Sequence, residues 1–275
     1  MQAQKLTRLA SDSRMRDLAL YNYNLRQQQE VSAMQVNAAA NKISPAGKFH
    51  FSGKDWIPDD YKGFAVVAML NSNPGNEELT TMLTGVQSEL RENLRPLNSF
   101  YMLPPDSFHQ TVANTLSDER FKNNIVKPGI EGAYPGMVRD AFHNIKTYKQ
   151  EAPIKMRLIG LSIFRNAIGV LGTFEHDADY NCLLDFRSGF YDDAQLKSLD
   201  VRLTRPFIGH ITLAYAEQKL NINQKAHLAN TVNEINALVF AKRHYFLISN
   251  TGLRRYDHLA EFMDVPNYPV YQFTY

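Results

Sequence analysis

Two short motifs of histidine and threonine are the residues whose types and spacing best suit chemistry in this chain. His109-Gln110-Thr111 and His210-Ile211-Thr212 share one pattern and lie 101 positions apart. In a strand, residues i and i+2 point to the same face, roughly 7 Å apart, so each histidine shares a face with its threonine. Two imidazoles that titrate near neutral pH can serve as general base and general acid in one displacement at phosphorus. The threonine hydroxyls can hold the nonbridging oxygens, and the reaction needs no metal ion.

The strands that must carry these motifs have apolar residues on their opposite faces. Phe108 and Val112 flank the first motif, and the second is accompanied by Phe207, Ile211, Leu213 and Tyr215. Such alternation predicts that one face packs on a core while the histidine and threonine side chains look into a cavity or solvent.

The remaining elements predict an α+β fold. Strands are indicated at 64–70, 155–164, 167–174, 180–187, 207–215 and 244–249, with the first motif inside the segment 101–115. Helical spacing is found at 79–90, 137–145 and 228–239. Because strand-helix-strand order recurs in both halves, we expect two duplicated sheet-plus-helix lobes around a central cleft, formed by residues 46–275. Residues 1–45 are predicted to be an N-terminal helical extension that packs loosely or mediates self-association.

The neighbourhoods of the two motifs resemble those of the 2H phosphoesterase superfamily. That family includes 2′-5′ RNA ligase-like proteins and cyclic nucleotide phosphodiesterases, and it carries one His-x-Thr/Ser motif in each lobe. The matching segments are Ser-Phe-His-Gln-Thr-Val at 107–112 and Arg-Pro-Phe-Ile-Gly-His-Ile-Thr-Leu-Ala at 205–214. Many members have proline before the second histidine and a basic residue after the Leu-Ala pair, where this chain has Gly209 and Tyr215. These departures indicate a divergent branch.

The resemblance implies a metal-independent hydrolase without a cofactor. A cyclic phosphodiester or a 2′-5′ linkage of a nucleotide or RNA end would be opened by water. By family analogy His109 is the acid and His210 the base, although the near-symmetric set allows the reverse order. Thr111 and Thr212 would contact the phosphate.

Further contacts to the substrate are expected from three residues near the motifs. Arg205 can pair with a phosphate, and Tyr101 and Tyr215 can stack on a base or fill the core. Arg202 and Arg165 are weaker candidates, because loop arginines are commonly just solvated.

Two other histidines lie in patterns that resemble functional motifs, but a structural interpretation is favoured for both. His50-Phe51-Ser52 fits a loose His-x-Ser pattern, but it lies outside the apolar strands and favours a surface loop. His176 beside Asp177 and Asp179 suggests metal ligation, yet a single histidine among turn-forming acids is typical of a loop.

Two functions other than catalysis fit the same motifs. The cleft could bind an RNA end or a cyclic nucleotide without cleaving it, or the chain could be an interaction scaffold in which the motifs are relics. The histidine and threonine retained in both motifs argue against relics.

Composition narrows the choice of partner and compartment. A formal charge of +2 is too small for a protein that holds duplex DNA through its phosphates. The one cysteine, Cys182, excludes an internal disulfide and favours a reducing compartment. No apolar run reaches the length of a membrane span, so we expect a soluble, cytoplasmic protein with no membrane partner. The sequence leaves the oligomeric state and the identity of the nucleotide open.

Overall fold

The computed structural model describes residues 17–146 and 149–275, which form a mixed α+β fold. The helices are α1 (Leu20–Glu30), α2 (Ala33–Lys42), α3 (Glu77–Leu94), α4 (Glu119–Phe121), α5 (Tyr134–Asn144), α6 (Asp177–Asp192), α7 (Ala194–Ser198) and α8 (Ile222–Val239). The strands are β1 (Phe49–Phe51), β2 (Trp56–Pro58), β3 (Gly63–Met69), β4 (Phe100–Met102), β5 (His109–Ser117), β6 (Ile154–Ile163), β7 (Ala167–Phe174), β8 (His210–Ala216), β9 (His244–Ile248), β10 (Asn250–His258), β11 (Glu261–Met263) and β12 (Val270–Gln272). The α+β class expected from the sequence is confirmed.

Two five-stranded antiparallel sheets carry the two motifs. The first has the order β11-β10-β3-β5, with β12 also paired to β10, and the second has the order β4-β8-β7-β6-β9. His109 begins β5 and His210 begins β8. Each motif therefore lies at the start of a strand, one in each large sheet.

The chain exchanges strands between the two sheets. β4 precedes β5 in sequence but pairs with β8 of the second sheet, and β10 follows β9 but pairs with β3 of the first. Neither sheet is therefore made from one continuous half of the sequence.

The predicted strand at 180–187 is wrong, since these residues lie in helix α6. Tyr180, Leu183, Phe186 and Phe190 follow one another at intervals of three or four positions, and all four are buried. This spacing lines one helical face, and α6 uses it to pack against both sheets, at β5 and at β6 and β7.

The N-terminal helices are packed into the fold, contrary to the loose arm expected for this region. Tyr23 of α1 and Val36 of α2 are only 1% and 0% exposed, and both belong to the main hydrophobic core. α1 lies against β7, and α2 lies against α8. The first 16 residues of the predicted extension lie outside the described residues.

No helix within 17–146 or 149–275 is both long enough and apolar enough to cross a membrane.

Candidate active site between the two histidine strands

The four residues predicted to do the chemistry line one cavity. His109 and Thr111 reach it from β5, and His210 and Thr212 reach it from β8. All four side chains are half-buried, and the cavity has a volume of about 480 Å³. The alternation of side chains along each strand therefore places the motifs as the sequence predicts.

Both imidazoles are held by the same local hydrogen bond. His109 Nδ1 lies 2.7 Å from the carbonyl oxygen of Ser107, and His210 Nδ1 lies 2.9 Å from that of Ile208. A carbonyl only accepts, so Nδ1 must carry the hydrogen in each ring. In the neutral form Nε2 is then the basic nitrogen, and the two histidines are prepared alike to accept a proton there.

Burial keeps both imidazoles neutral in the ligand-free protein. Desolvation, with a smaller contribution from His210, lowers the pKa of His109 from 6.5 to about 4, and the hydrogen bond to the Ser107 carbonyl opposes this shift. Desolvation, with a smaller contribution from the positive charge of Arg205, likewise lowers the pKa of His210 to about 4, and the hydrogen bond to the Ile208 carbonyl opposes this shift. Loss of water penalises the charged form of a buried base.

A β-bulge follows each threonine at the equivalent position. In the first sheet Val66 pairs with Ala113 and Val67 with Thr111, which leaves Val112 as the extra residue. The second sheet skips Leu213 in the same way, between its pairings of β7 with Thr212 and Ala214. A bulge shifts by one residue the alternation of side chains between the two faces of a strand. Asn114 and Tyr215, each three residues after the threonine of its motif, therefore also face the cavity.

The cavity wall is basic and aromatic. Lys48, Arg165 and Arg205 line it, and none of the described residues around it has a carboxylate side chain. Arg205 donates to Asn114 Oδ1 at 3.2 Å, and Lys48 Nζ lies 3.7 Å from the centre of the Tyr61 ring. Such a wall suits an anionic ligand that also has a flat ring.

An aromatic ring lies against each histidine. The ring centres of Phe262 and His109 are 4.1 Å apart, and those of Phe164 and His210 are 5.2 Å apart. These rings limit the movement of the imidazoles and shield them from water, which is consistent with their lowered pKa values.

Comparison with known proteins finds a likeness in fold. No protein-family model matches the chain, and no curated protein matches it. One similar solved structure is that of the conserved protein of unknown function ATU0111 from Agrobacterium tumefaciens, with a TM-score of 0.58 and 14% identity over 86% of this chain and 98% of that one. A second, TT0787 from Thermus thermophilus, gives a TM-score of 0.39 and 17% identity over 70% of this chain and 87% of that one. The first match shows a shared fold, and the second is too distant to relate the folds.

The predicted substrate contacts divide between two places. Arg205 and Tyr215 line the cavity, and burial raises the pKa of the Tyr215 hydroxyl to about 12. Tyr101 lies outside it. Its ring stacks on Phe49 with centres 3.9 Å apart, and it faces a neighbouring cavity of about 610 Å³ that shares Phe262 as a wall.

Of the two weaker candidates for substrate contact, one lines the cavity and the other does not. Arg165 lines the cavity, whereas Arg202 forms an exposed ion pair with Asp200 at 3.0 Å. His50 is bound to Asp59 at 2.6 Å on the surface, as expected for an exposed residue, but it lies in strand β1 and not in a loop. Among the described residues, no cluster of three or more histidine, cysteine or acidic side chains could hold a metal ion.

Several cavity residues were not predicted from the sequence. Four of them come from segments far from either motif along the chain: Lys48, Tyr61, Tyr256 and Phe262. The pairing of β3 with β10, and of β10 with β11, brings Tyr256 and Phe262 close. Asn114 is different, because it lies three residues after Thr111. Tyr215 likewise lies three residues after Thr212. This shared spacing is the sequence signal that could have identified Asn114.

Proposed function

We propose that this protein is a phosphoesterase of the 2H type. It would hydrolyse, without a metal ion, a cyclic phosphodiester or a 2′-5′ phosphodiester of a nucleotide or an RNA end. The observation that carries the proposal is the convergence of His109, Thr111, His210 and Thr212 on one cavity whose other charged wall residues are all cationic.

The matched construction of the two motifs supports a duplicated, two-lobed architecture. Histidine, threonine, bulge and cavity residue follow one another with the same spacing in β5 and β8. In each case Nδ1 is bound to the carbonyl two residues earlier. We therefore propose that the two large sheets are related lobes, with a cleft between them.

The reaction needs one proton acceptor and one proton donor. His210 Nε2 would take a proton from water as the water oxygen forms its bond to phosphorus. The bond from phosphorus to the departing ribose oxygen breaks, and His109 gives that oxygen a proton from Nε2. The product is a phosphomonoester with a free hydroxyl. Thr111 and Thr212 would donate hydrogen bonds to the nonbridging oxygens.

Charge near the two histidines suits an acid and a base, in this order or the reverse. Arg205 disfavours a second positive charge on His210, which suits a base that begins the reaction neutral. The phosphodiester brings a negative charge, which raises the pKa of an adjacent imidazole and allows His109 to be protonated as the acid.

The test is hydrolysis by purified protein in the presence of EDTA. The panel contains 2′,3′-cyclic nucleotides, cyclic oligonucleotides and 2′-5′-linked oligomers, with products resolved by chromatography. We expect cleavage by the wild type, and a loss of at least about 10³-fold in His109→Ala and in His210→Ala. His143→Ala changes an exposed histidine of α5 and should retain full activity.

Noncatalytic binding is the second candidate, because both imidazoles are neutral without a ligand and no proton donor is ready. The protein would then capture the same nucleotides or RNA ends in the same cavity. Equilibrium dialysis on the panel separates the two functions: binding with the ligand recovered intact would favour the second. Failure of every panel member to bind or react would refute both for these substrates.

We also propose that the protein works in the cytoplasm, as the single, buried Cys182 suits a reducing compartment.

A further inference from the structure

Gln110, the middle residue of the first motif, links the two catalytic strands. Its neighbours His109 and Thr111 face the cavity, while Gln110 points the other way and is 0% exposed. Its Oε1 accepts the backbone N–H of His210, and its Nε2 donates to the carbonyl of Ile208 at 3.1 Å and to that of Thr111 at 2.6 Å. One side chain of the first motif thus binds the backbone on both sides of Gly209 in the second.

The Ile208 carbonyl that Gln110 binds also determines which ring nitrogen of His210 carries the hydrogen. Ile208 oxygen accepts from Gln110 Nε2 and also from His210 Nδ1 at 2.9 Å. If this carbonyl turned away, the imidazole would lose the bond that keeps its hydrogen on Nδ1. The same amide also holds the N–H of His210, so the ring and its backbone are fixed together.

The carbonyl that binds His109 Nδ1 is fixed in a different way, by its own turn. Ser107, whose carbonyl binds His109 Nδ1, ends a short 3₁₀ turn in which Phe108 N donates to Pro105 oxygen at 3.0 Å. Ser107 Oγ donates to Pro104 oxygen at 2.7 Å. Disturbing Gln110 should therefore affect one histidine and spare the other.

We propose that Gln110 is a positioning residue that fixes His210 with its hydrogen on Nδ1 and Nε2 free toward the cavity. Through Gln110, the first motif controls the protonation site of the second. The consequence for turnover rests on the proposed function, whereas the consequence for the imidazole does not.

The decisive measurement is the protonation site of each imidazole in the full chain. In ¹⁵N-labelled protein at neutral pH, long-range ¹H–¹⁵N correlation spectra distinguish Nδ1–H from Nε2–H. We expect Nδ1–H for both histidines in the wild type. In Gln110→Met, whose side chain has similar length and no polar atoms, His210 should shift toward a mixture with Nε2–H. His109 should keep its wild-type signals and serves as the internal control.

Asn236 of α8 provides a matched control variant away from the cavity. Its amide also accepts a backbone N–H and donates to a carbonyl, both of Leu161, at 2.6 and 3.0 Å. Asn236→Leu removes a similar pair of bonds and should leave the His210 signals unchanged. A shift of His210 in this variant as large as in Gln110→Met would overturn the proposal, as would an unchanged His210 in Gln110→Met.

Wild-type protein gives a test that does not depend on the variant folding. The backbone N–H of His210 and one side-chain N–H of Gln110 should exchange slowly with solvent, as buried hydrogen-bonded groups do. Exchange at the rate of exposed amides would contradict the proposal.

Turnover provides a separate readout. If the wild type cleaves a substrate, kcat of Gln110→Met should fall by about 10²-fold with KM unchanged, because positioning is lost but the binding wall is intact. If the wild type cleaves nothing, the proposed function fails while the spectra still decide the role of Gln110.

Discussion

The two half-buried imidazoles that line the cavity should make the folded protein less stable as the pH falls below 6.5. Burial lowers the pKa of His109 and His210 from 6.5 to about 4. Between these two pH values, the imidazoles are protonated in the unfolded chain and neutral in the folded protein. Above pH 6.5 both states are neutral and no penalty arises. Between pH 6.5 and 4 the unfolded chain binds more protons, and the free energy of unfolding decreases.

The size of the effect follows from these pKa values. At pH 5 the difference in proton binding is worth about 2 kcal/mol for each imidazole. Both rings reach solvent through the cavity, and screening there reduces the cost to about 1 kcal/mol each, or about 2 kcal/mol for the pair.

The assay is urea unfolding at pH 7 and pH 5, for the wild type and for the double variant His109→Asn/His210→Asn. Asparagine offers an amide N–H in place of Nδ1, so the bonds to Ser107 and Ile208 can persist. The wild type should lose about 2 kcal/mol more than the double variant on going from pH 7 to pH 5. His143 is exposed on α5 and does not line the cavity, so His143→Asn should behave as the wild type. Equal losses in the wild type and the double variant would refute the reasoning.

Two further predictions concern the support beneath the motifs. Gly209→Ala would place Cβ 2.6 Å from the Tyr23 hydroxyl oxygen and should cost about 1–3 kcal/mol in urea unfolding, whereas Gly136→Ala, with open space around it, should cost nothing measurable. Arg187 is 2% exposed and pairs with Asp17 at 3.0 Å, so Arg187→Met should cost about 3–5 kcal/mol by leaving the carboxylate unpaired. Adding Asp17→Asn should recover part of that loss, and simple additivity of the two losses would count against the explanation.

Short-range patterns were enough to predict the strands that carry the chemistry. The run at 64–70 is continuous and apolar, and it forms β3, whose residues are all buried. The alternation around each motif placed His109 with Thr111 and His210 with Thr212 because a period of two is a property of any strand. The bulges at Val112 and Leu213 were not predictable, because they depend on the partner strands.

Features that depend on distant contacts were missed. No strand is predicted after residue 249, yet β10 is an inner strand of the first sheet. The segment 180–187 is predicted as a strand, but the spacing of Tyr180, Leu183 and Phe186 suits helix α6, whose buried face packs against β5, β6 and β7.

Gly209 stands where the 2H phosphoesterase pattern commonly has proline. The structure gives it a physical reason: Tyr23 of the N-terminal helix donates to Gly172 oxygen at 2.7 Å and accepts from Gly209 N–H at 3.0 Å. Proline has no N–H to donate, so it would remove this bond. The hydrogen bond between Tyr23 of α1 and the residue before His210 therefore requires a residue with a backbone N–H at position 209.

The exchange of strands between the sheets also affects the order in which the protein can fold during its synthesis. β3 and β5 leave the ribosome early, but β10, which covers the other edge of β3, follows only after residue 249. Until then β3 exposes unpaired backbone groups and a fully apolar strand, the kind of edge that pairs with other chains. The second sheet, from β4 to β9, is complete before this point. A nascent chain should therefore form the wall around His210 first, and the wall around His109 should close last.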